Sequence, residues 1–428
     1  MIRGVGPPSP ARGICRRKAV ERLASIVGVC ANWPGLRLPD DLRLGKTAES
    51  HGVPTGPSVL DRVGVSVGAK ELDKATLDLI ARYGFRWIRS DLSWRQSEPT
   101  AGKFDFGILR RGLQAAADRD LKVLGILDYG HPYYTKMMAP RSAQERRAFV
   151  RFSTEAAAQL DSLVTAWEVW NEPNHPRFWP PAPDVEGFIA LLLEVAGALW
   201  KQNPNAVLVT GGLSTIDDKF LSSLVPVVDS LAEHGSLGLG LHPYRNTPPE
   251  SLGSDLRRVG LLREDGRAAT AAGVRVWLTE WGYCRGTPGV GQLRQAEWVP
   301  RIPLVGAALD VPMTLVFGLR DDGPQDVAAY TCGLVSAHNE PYPVADAWMS
   351  VSEVTKSMTS PLRVVPQRDE GTWAIGSCDS ALVWPSGPTG VSGSQALTCD
   401  EGISTCSTGI SVVKPAREYW TKHGTPCS

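Results

Sequence analysis

The chain has 428 residues, and its 45 Lys and Arg residues balance its 45 Asp and Glu residues. This zero net charge provides no overall attraction for nucleic acid or anionic lipid, so we expect neither partner. No segment approaches the ~20 consecutive apolar residues that a membrane-spanning helix needs. The length exceeds that of one ordinary domain, but it suits an α/β barrel of roughly 250 residues with additions at both ends.

Residues 1–60 are predicted to be a leader and linker. Basic residues within 12–22 precede a short apolar run at 23–29, and Val29-Cys30-Ala31 offers a small-residue cleavage site. This is a weak signal-peptide pattern. The chain also has eight cysteines, several of them near the carboxyl terminus. Together these features favour an exported protein with disulfides, and reduced thiols in a cytoplasmic enzyme are the alternative.

Strand-like and helix-like segments alternate through residues 61–360, which predicts an α/β fold, a (β/α)8 TIM barrel. The predicted strands are 63–67, 85–90, 122–127, 164–170, 206–210, 237–241, 274–278 and 313–317. The predicted helices lie within 72–83, 106–119, 143–160, 185–202, 217–233, 250–271, 292–309 and 342–357. Pro300 and Pro303 should bend or split the seventh helix.

The tail, residues 361–428, changes to short β-type segments separated by turn residues. We predict a small β-rich, cysteine-containing appendage packed on the barrel, with strands at 362–365, 372–375 and 381–384. The segment 386–410 is rich in Gly, Ser and Thr, which is typical of a surface loop.

Two glutamates stand where predicted buried strands end. Glu172 follows the run 164–170, and Glu280 follows the run 274–278. In a barrel of parallel strands these ends meet at the face where active sites lie. Glycoside hydrolysis needs two carboxyl groups there, because one protonates the leaving oxygen and the other attacks or activates water. Two unrelated glutamates at strand ends are the alternative.

The stretch Glu168-Val169-Trp170-Asn171-Glu172-Pro173-Asn174, with Phe178-Trp179 after it, resembles retaining glycoside hydrolases of clan A. It looks most like family 39, and His242-Pro243-Tyr244 is similar to an element of family 5, the close alternative. The resemblance covers residues 63–356. It implies double displacement, with Glu172 as the acid/base and Glu280 as the nucleophile.

The resemblance also implies roles for polar neighbours of the two glutamates. Asn171 is expected to bind the sugar 2-hydroxyl, and Arg89 on strand two is expected to keep Glu280 ionised. Tyr244 is a candidate hydrogen-bond donor to Glu280. His242 is expected either to bind substrate or to orient the acid.

Aromatic residues are expected to line the sugar-binding cleft, because the apolar faces of sugars stack on indole rings. We assign Trp94, Trp179 and Trp281 to the cleft, and His131 and Tyr129 to the floor of the first sugar subsite. Many clan members carry a tryptophan after strand eight, where the nearest aromatic residue of this chain is Phe317.

Two other functions are compatible with the same fold. A catalytically weak carbohydrate-binding barrel would keep the aromatic residues, and a metal-dependent hydrolase would use His131, His242 and acidic residues. None of the seven histidines shows the close His-x-His spacing typical of such metal sites. We therefore expect no metal, no cofactor and an oligo- or polysaccharide as the partner. The sugar, the linkage and endo or exo action are not legible from the sequence.

Overall fold

The computed structural model describes residues 58–263, 267–324, 327 and 330–355, and the backbone of five short strands between 363 and 413. Eight parallel strands form a closed barrel in which the strand order follows the chain. The predicted (β/α)8 barrel is therefore confirmed. The barrel strands are β1 Val63–Ser66, β2 Trp87–Ser93, β3 Lys122–Asp128, β4 Ala166–Asn171, β5 Leu208–Ser214, β6 Leu237–His242, β7 Val276–Trp281 and β8 Thr314–Val316.

The helices of the described residues surround this barrel. They are α1 Lys74–Arg82, the single turn α2 Trp94–Ser97, α3 Gly107–Ala117, α4 Ala143–Leu160, α5 Val185–Gln202, α6 Asp218–Leu231, α7 Leu252–Arg258, α8 Gly291–Trp298, α9 Ile302–Ala308 and α10 Pro343–Thr355. A 3₁₀ turn that contains Pro300 separates α8 from α9, as the two prolines predict. Among the described residues, none of the helices combines the length and the apolar character needed to cross a bilayer.

The sixth predicted helix is short. It lies within the predicted range 250–271, and α7 ends at Arg258. Gly260 follows with a φ of 73° and donates its N–H to the carbonyl of Arg257, which closes the helix as a left-handed glycine cap.

Six of the eight barrel strands continue past their predicted ends, and two of these extensions show why the length matters to the site. Strand β2 runs three residues beyond Ser90, so Asp91 belongs to the strand. Strand β5 includes Gly212, where an added Cβ would lie 2.1 Å from His242 Nε2 and 2.5 Å from Thr279 Oγ1. Only glycine leaves room for these two side chains at the same level of the barrel.

The interior of the barrel is filled below the level of the predicted site. An apolar cluster joins Trp87, Leu124, Ala166, Val207, Val209, Trp277, Met313 and Leu315. The indole rings of Trp87 and Trp277 meet edge to face at 6.3 Å. This packed layer makes the lower barrel a core, so substrate can enter only at the carboxyl ends of the strands.

The described part of the tail forms a separate antiparallel sheet. Its strands are β9 Arg363–Pro366, β10 Thr372–Gly376, β11 Ala381–Pro385, β12 Ile403–Thr405 and β13 Ser411–Val413. They pair in the order β12-β13-β11-β10-β9. The prediction of a loop throughout 386–410 is wrong at β12, which pairs with β13 through Ile403 and Val413. Residues 1–57 of the predicted leader lie outside the described residues. The proposed domain boundaries stay predictions.

One disulfide is present among the described residues. It joins Cys284, after β7, to Cys332, after β8, with the Cα atoms 4.0 Å apart. The expectation of disulfides is confirmed for this pair, and the other six cysteines lie outside the described residues.

Candidate active site

The predicted catalytic residues converge at the carboxyl ends of the strands. Arg89 lies in β2, Asn171 ends β4 and Glu172 follows it, His242 ends β6, and Glu280 lies near the end of β7. Arg89, Asn171, Glu172 and His242 are buried, and the side chain of Glu280 is only 13% exposed. The sequence therefore brings these distant residues into one compact polar cluster.

Arg89 organises the floor of this cluster. Its Nε donates to Glu168 Oε2 at 2.6 Å, its Nη2 donates to Asn171 Oδ1 at 2.8 Å, and its Nη1 donates to Glu280 Oε1. The planar guanidinium holds three partners in fixed directions. Burial opposes its charge, but the carboxylates of Glu168 and Glu280 outweigh burial and raise the pKa of Arg89.

Glu280 is held in its ionised form. Tyr244 donates its hydroxyl to Glu280 Oε2 at 2.9 Å, while Arg89 binds the other oxygen. Burial alone would raise the pKa of Glu280, but the charges of His242 and Arg89 and the two hydrogen bonds together lower it. Burial and the nearby Glu280 raise the pKa of Tyr244 well above its usual range, which keeps its hydroxyl a donor.

Glu172 is connected to a different chain of hydrogen bonds. Its Oε1 lies 2.9 Å from His242 Nδ1, and His242 Nε2 lies 3.0 Å from Thr279 Oγ1. Thr279 donates its single hydroxyl proton to Glu168 Oε1 at 2.8 Å. It must therefore accept from His242, so Nε2 carries a proton. One proton therefore lies between His242 Nδ1 and Glu172 Oε1, and the two groups share it.

Glu172, His242 and Glu280 also form the one group of described residues suited in composition to hold a metal ion. Ligand atoms from the three lie within 4.8 Å of one another. However, both oxygens of Glu280 already accept hydrogen bonds from Arg89 and Tyr244. The adjacent guanidinium would also repel a cation. The geometry suits two carboxyl groups in different protonation states better than a metal centre.

The structure corrects the assignment of three tryptophans to the cleft, since Trp94, Trp179 and Trp281 are fully buried. Trp94 donates its indole N–H to Glu98 and stacks on Tyr134. Trp281 packs against Tyr283, with the ring centroids 6.4 Å apart, and the guanidinium of Arg245 lies over its ring.

The two residues assigned to the floor of the first subsite differ in position. His131 is buried against Trp94, and its Nε2 is 2.9 Å from the backbone carbonyl of Glu98, so its role is structural and that prediction is wrong. Tyr129 is half-buried and stacks on Phe178 at 5.9 Å. Burial and the nearby Asp128 raise its pKa. It stays a candidate for sugar binding.

The sequence reasoning missed Glu168, Thr279, Asp91 and Asp128. Glu168 is a fully buried charge in the middle of β4, and such a residue needs a partner. That requirement was a usable signal. Asp91 lies two residues after Arg89 and thus on the same face of β2, but the predicted strand stopped before it.

The comparisons with known proteins agree with this geometry. A family model described as cellulase, glycosyl hydrolase family 5, matches residues 47–307, which is more than half of the chain. None of the curated proteins matches the chain.

Several solved structures are similar in fold. A family 39 glycoside hydrolase from Bacteroides cellulosilyticus WH2 has 20% identity and a TM-score of 0.62 over 82% of this chain and 78% of that chain. The family 39 enzyme from Xanthomonas axonopodis pv. citri has 16% identity and a TM-score of 0.58 over 82% and 77%. GH5_18 from Streptomyces cattleya, in complex with GlcNAc, has 18% identity and a TM-score of 0.52 over 72% and 82%.

At these identities the likeness to family 39 shows the shared barrel. The family match covers most of that barrel and is to family 5, the alternative indicated by His242-Pro243-Tyr244. The prediction of a clan A glycosidase is thereby confirmed. The chain belongs to the cellulase family, glycosyl hydrolase family 5, and is a retaining glycoside hydrolase.

Proposed function

We propose that Glu280 is the nucleophile and Glu172 the general acid/base in the hydrolysis of an oligo- or polysaccharide. One observation carries this assignment: Glu280 is bound by two donors, whereas Glu172 shares a proton with His242. The same cleft therefore contains one ionised and one proton-bearing carboxyl group, as double displacement requires.

In the first step Glu280 attacks the anomeric carbon, and the bond to the leaving oxygen breaks. Glu172 gives its proton to that oxygen, so the leaving sugar departs as an alcohol. In the second step Glu172 takes a proton from water, and the oxygen of that water displaces Glu280 from the same face. Two inversions give overall retention of the anomeric configuration.

The separation of the two carboxyl groups supports direct attack. One oxygen of Glu172 and one of Glu280 lie within 4.8 Å of each other. Retaining enzymes have carboxyl groups ~5–5.5 Å apart, whereas inverting enzymes need ~6.5–9.5 Å to hold a water molecule between them.

Three neighbours position these groups. Arg89 and Tyr244 keep Glu280 ionised until it attacks. Asn171 accepts from Arg89 through Oδ1, so its Nδ2 is free to donate to the sugar 2-hydroxyl oxygen. With the tryptophans buried, Phe317 is our candidate platform for the sugar ring, since its half-buried ring meets Tyr244 edge to face at 6.1 Å.

We also propose export of the protein and degradation of a polysaccharide outside the cytoplasm. The disulfide between Cys284 and Cys332 supports this, because disulfides persist in oxidising compartments. The arrangement of a leader, a barrel over residues 61–360 and a β-rich appendage over 361–428 is part of the same proposal.

The decisive experiment is proton NMR of the first-formed sugar, recorded before mutarotation. We expect the anomeric configuration of the substrate to be kept, and a 2-fluoro glycoside inactivator to label the peptide that contains Glu280. An inverted first product, or label on another carboxyl group, would contradict the assignment. Chelation of metal ions should leave the rate unchanged, whereas loss of activity with a chelator would favour the metal-dependent alternative.

A further inference from the structure

A second pair of carboxyl groups lies beside the catalytic pair. Asp128 ends β3 and is fully buried, and neither of its oxygens accepts a hydrogen bond from any N–H or O–H of the described residues. Asp91, on the neighbouring strand β2, is exposed. The two carboxyl groups lie close enough that each affects the pKa of the other.

Placing these two carboxyl groups side by side costs folding free energy. Burial raises the pKa of Asp128 well above its usual range, and the adjacent Asp91 raises it further. The pKa of Asp91 is raised as well, because many protein atoms surround its carboxyl group although solvent reaches the side chain, and Asp128 and Arg89 oppose that effect. A buried carboxyl group without donors destabilises the fold. Such a group at a binding cleft is therefore a candidate for a role in binding.

The surroundings add negative rather than positive charge. Glu280 and Glu168 lie close enough to raise the pKa of Asp91, and the positive charge of Arg89 is already shared by these two glutamates. Farther out, burial raises the pKa of Glu71, and the charge of Asp91 raises it further. The positive charge of Arg320 opposes both effects.

Glu71 is also influenced by Asp322, in the loop after β8. Arg320 is a second cation on this side of the cleft besides Arg89, and it donates through Nε to Asn339 and through Nη2 to Thr76, which are neutral. The side of the cleft formed by β1, β2, β3 and β8 therefore has more carboxyl groups than cations among the described residues.

A neutral hydroxyl would accept or donate one hydrogen bond here without reducing the repulsion between carboxylates. A cation would reduce it and would also supply the donors that Asp128 lacks. Resting on the hydrolase function above, we propose that Asp91 and Asp128 bind a protonated amino group, and that the substrate is an oligo- or polysaccharide of amino sugars with free amines.

An ammonium group has three N–H donors. It can donate to Asp91 and Asp128 at once, and the proton that the raised pKa of Asp128 retains in the free enzyme is then released to solvent. Binding of the amine and release of the proton balance in charge, because two carboxylates and one ammonium replace one carboxylate and one carboxylic acid.

Binding is best measured with the Glu172→Gln variant, which copies the protonated acid, blocks turnover of oligosaccharides and leaves the charge of the cleft unaltered. The ligands are matched sets of gluco- and galacto-configured β-oligosaccharides, each as the neutral, the N-acetylated and the free-amine form. We expect the free-amine form to bind about 10- to 100-fold more tightly than its neutral counterpart. Calorimetry in two buffers of different ionisation heat should detect the released proton.

Three further variants test the pair in that background. Asp91→Asn and Asp128→Asn should each remove most of the preference and abolish proton release, whereas Glu233→Gln, an exposed carboxyl group after α6, should change neither. Equal or weaker binding of the free amines in both configurations would overturn the amine subsite. So would a preference that survives both substitutions.

The two proposals fail in different ways. If the wild type cleaves neutral oligosaccharides as efficiently as those with free amines, the hydrolase assignment stands and the amine subsite falls. If free amines bind tightly with proton release but no oligosaccharide is cleaved, the amine subsite stands and the hydrolase assignment falls.

Discussion

Glu280 and Asp128 are two acidic groups of one cleft, both near Arg89, yet their pKa values shift in opposite directions. Burial acts on both and raises both pKa values. Glu280 accepts hydrogen bonds from Arg89 and Tyr244, and these outweigh burial. Asp128 faces another carboxyl group in place of a donor. The comparison shows that the hydrogen-bond donors around a carboxyl group decide whether it is charged, whereas burial makes a charge without donors more costly.

The largest expected effect comes from removing Glu280, the ionised group of this comparison. Glu280→Ala should reduce turnover by several orders of magnitude, because no other group can attack the anomeric carbon. Azide should partly restore activity on an activated aryl glycoside, since the removed side chain leaves space on that face. The rescued product should have the inverted configuration by NMR. Retention of most wild-type activity would refute the nucleophile assignment.

The next effect concerns the group that must hold a proton. Glu172→Ala should slow hydrolysis of substrates with poor leaving groups by about 10²- to 10⁴-fold, the usual contribution of general acid catalysis. Formation of the glycosyl-enzyme from dinitrophenyl glycosides should be affected much less, because their leaving group needs no proton. The alkaline limb of the pH–rate profile should flatten. Equal losses on both kinds of substrate would speak against the acid role.

A smaller change weakens one donor to Glu280. Tyr244→Phe should lower kcat/KM by about 10- to 100-fold, the range expected for one hydrogen bond to a charged group. Because this bond helps to lower the pKa of Glu280, its loss should move the acidic limb of the profile to higher pH. An unchanged acidic limb would show that Arg89 and His242 hold Glu280 ionised without help from Tyr244.

The smallest effect sharpens the other side of the comparison through stability. A raised pKa in the folded state means that Asp128 binds its proton more tightly when folded. Its contribution to stability is therefore complete below its unfolded pKa and is lost as the pH rises through the folded value. Asp128→Asn should remove this loss, which is about 1.4 kcal/mol for each unit between the two pKa values.

Chemical denaturation at pH 4 and at pH 8 measures this effect. The variant should gain free energy of unfolding relative to the wild type at the higher pH, and the difference should shrink at the lower pH. An equal effect of the substitution at both values would mean that Asp128 is ionised in the folded protein.

Much of the fold and the central pair could be predicted from local pattern. The alternation of apolar strands and amphipathic helices indicated the barrel, and the positions of Glu172 and Glu280 after β-type runs indicated where they lie. The tryptophans failed for a related reason. Adjacency in sequence does not fix where a side chain lies: Thr279 and Glu280 both reach the polar cluster, whereas Trp281 is buried against Tyr283.

The remaining errors have nonlocal causes. Strand β12 has three residues and exists through its pairing with β13, which no local pattern reveals. Asp91 was overlooked because β2 continues past Ser90 by pairing with β3 up to Asp128. The hydrogen bond that Glu172 shares with His242 depends on Thr279 in β7, and no local pattern reveals that chain of donors and acceptors.

The bond between Cys284 and Cys332 has a practical consequence for any laboratory that makes this enzyme. It spans 48 residues and ties the loop after β7 to the loop after β8, the strand that closes the barrel. Constraining a segment of that length in the unfolded chain is worth about 4 kcal/mol in the chain-entropy model. A reducing expression host would prevent this disulfide from forming between the loops that follow β7 and β8. Preparations should therefore be oxidised, and their free thiols counted, before their activities are compared.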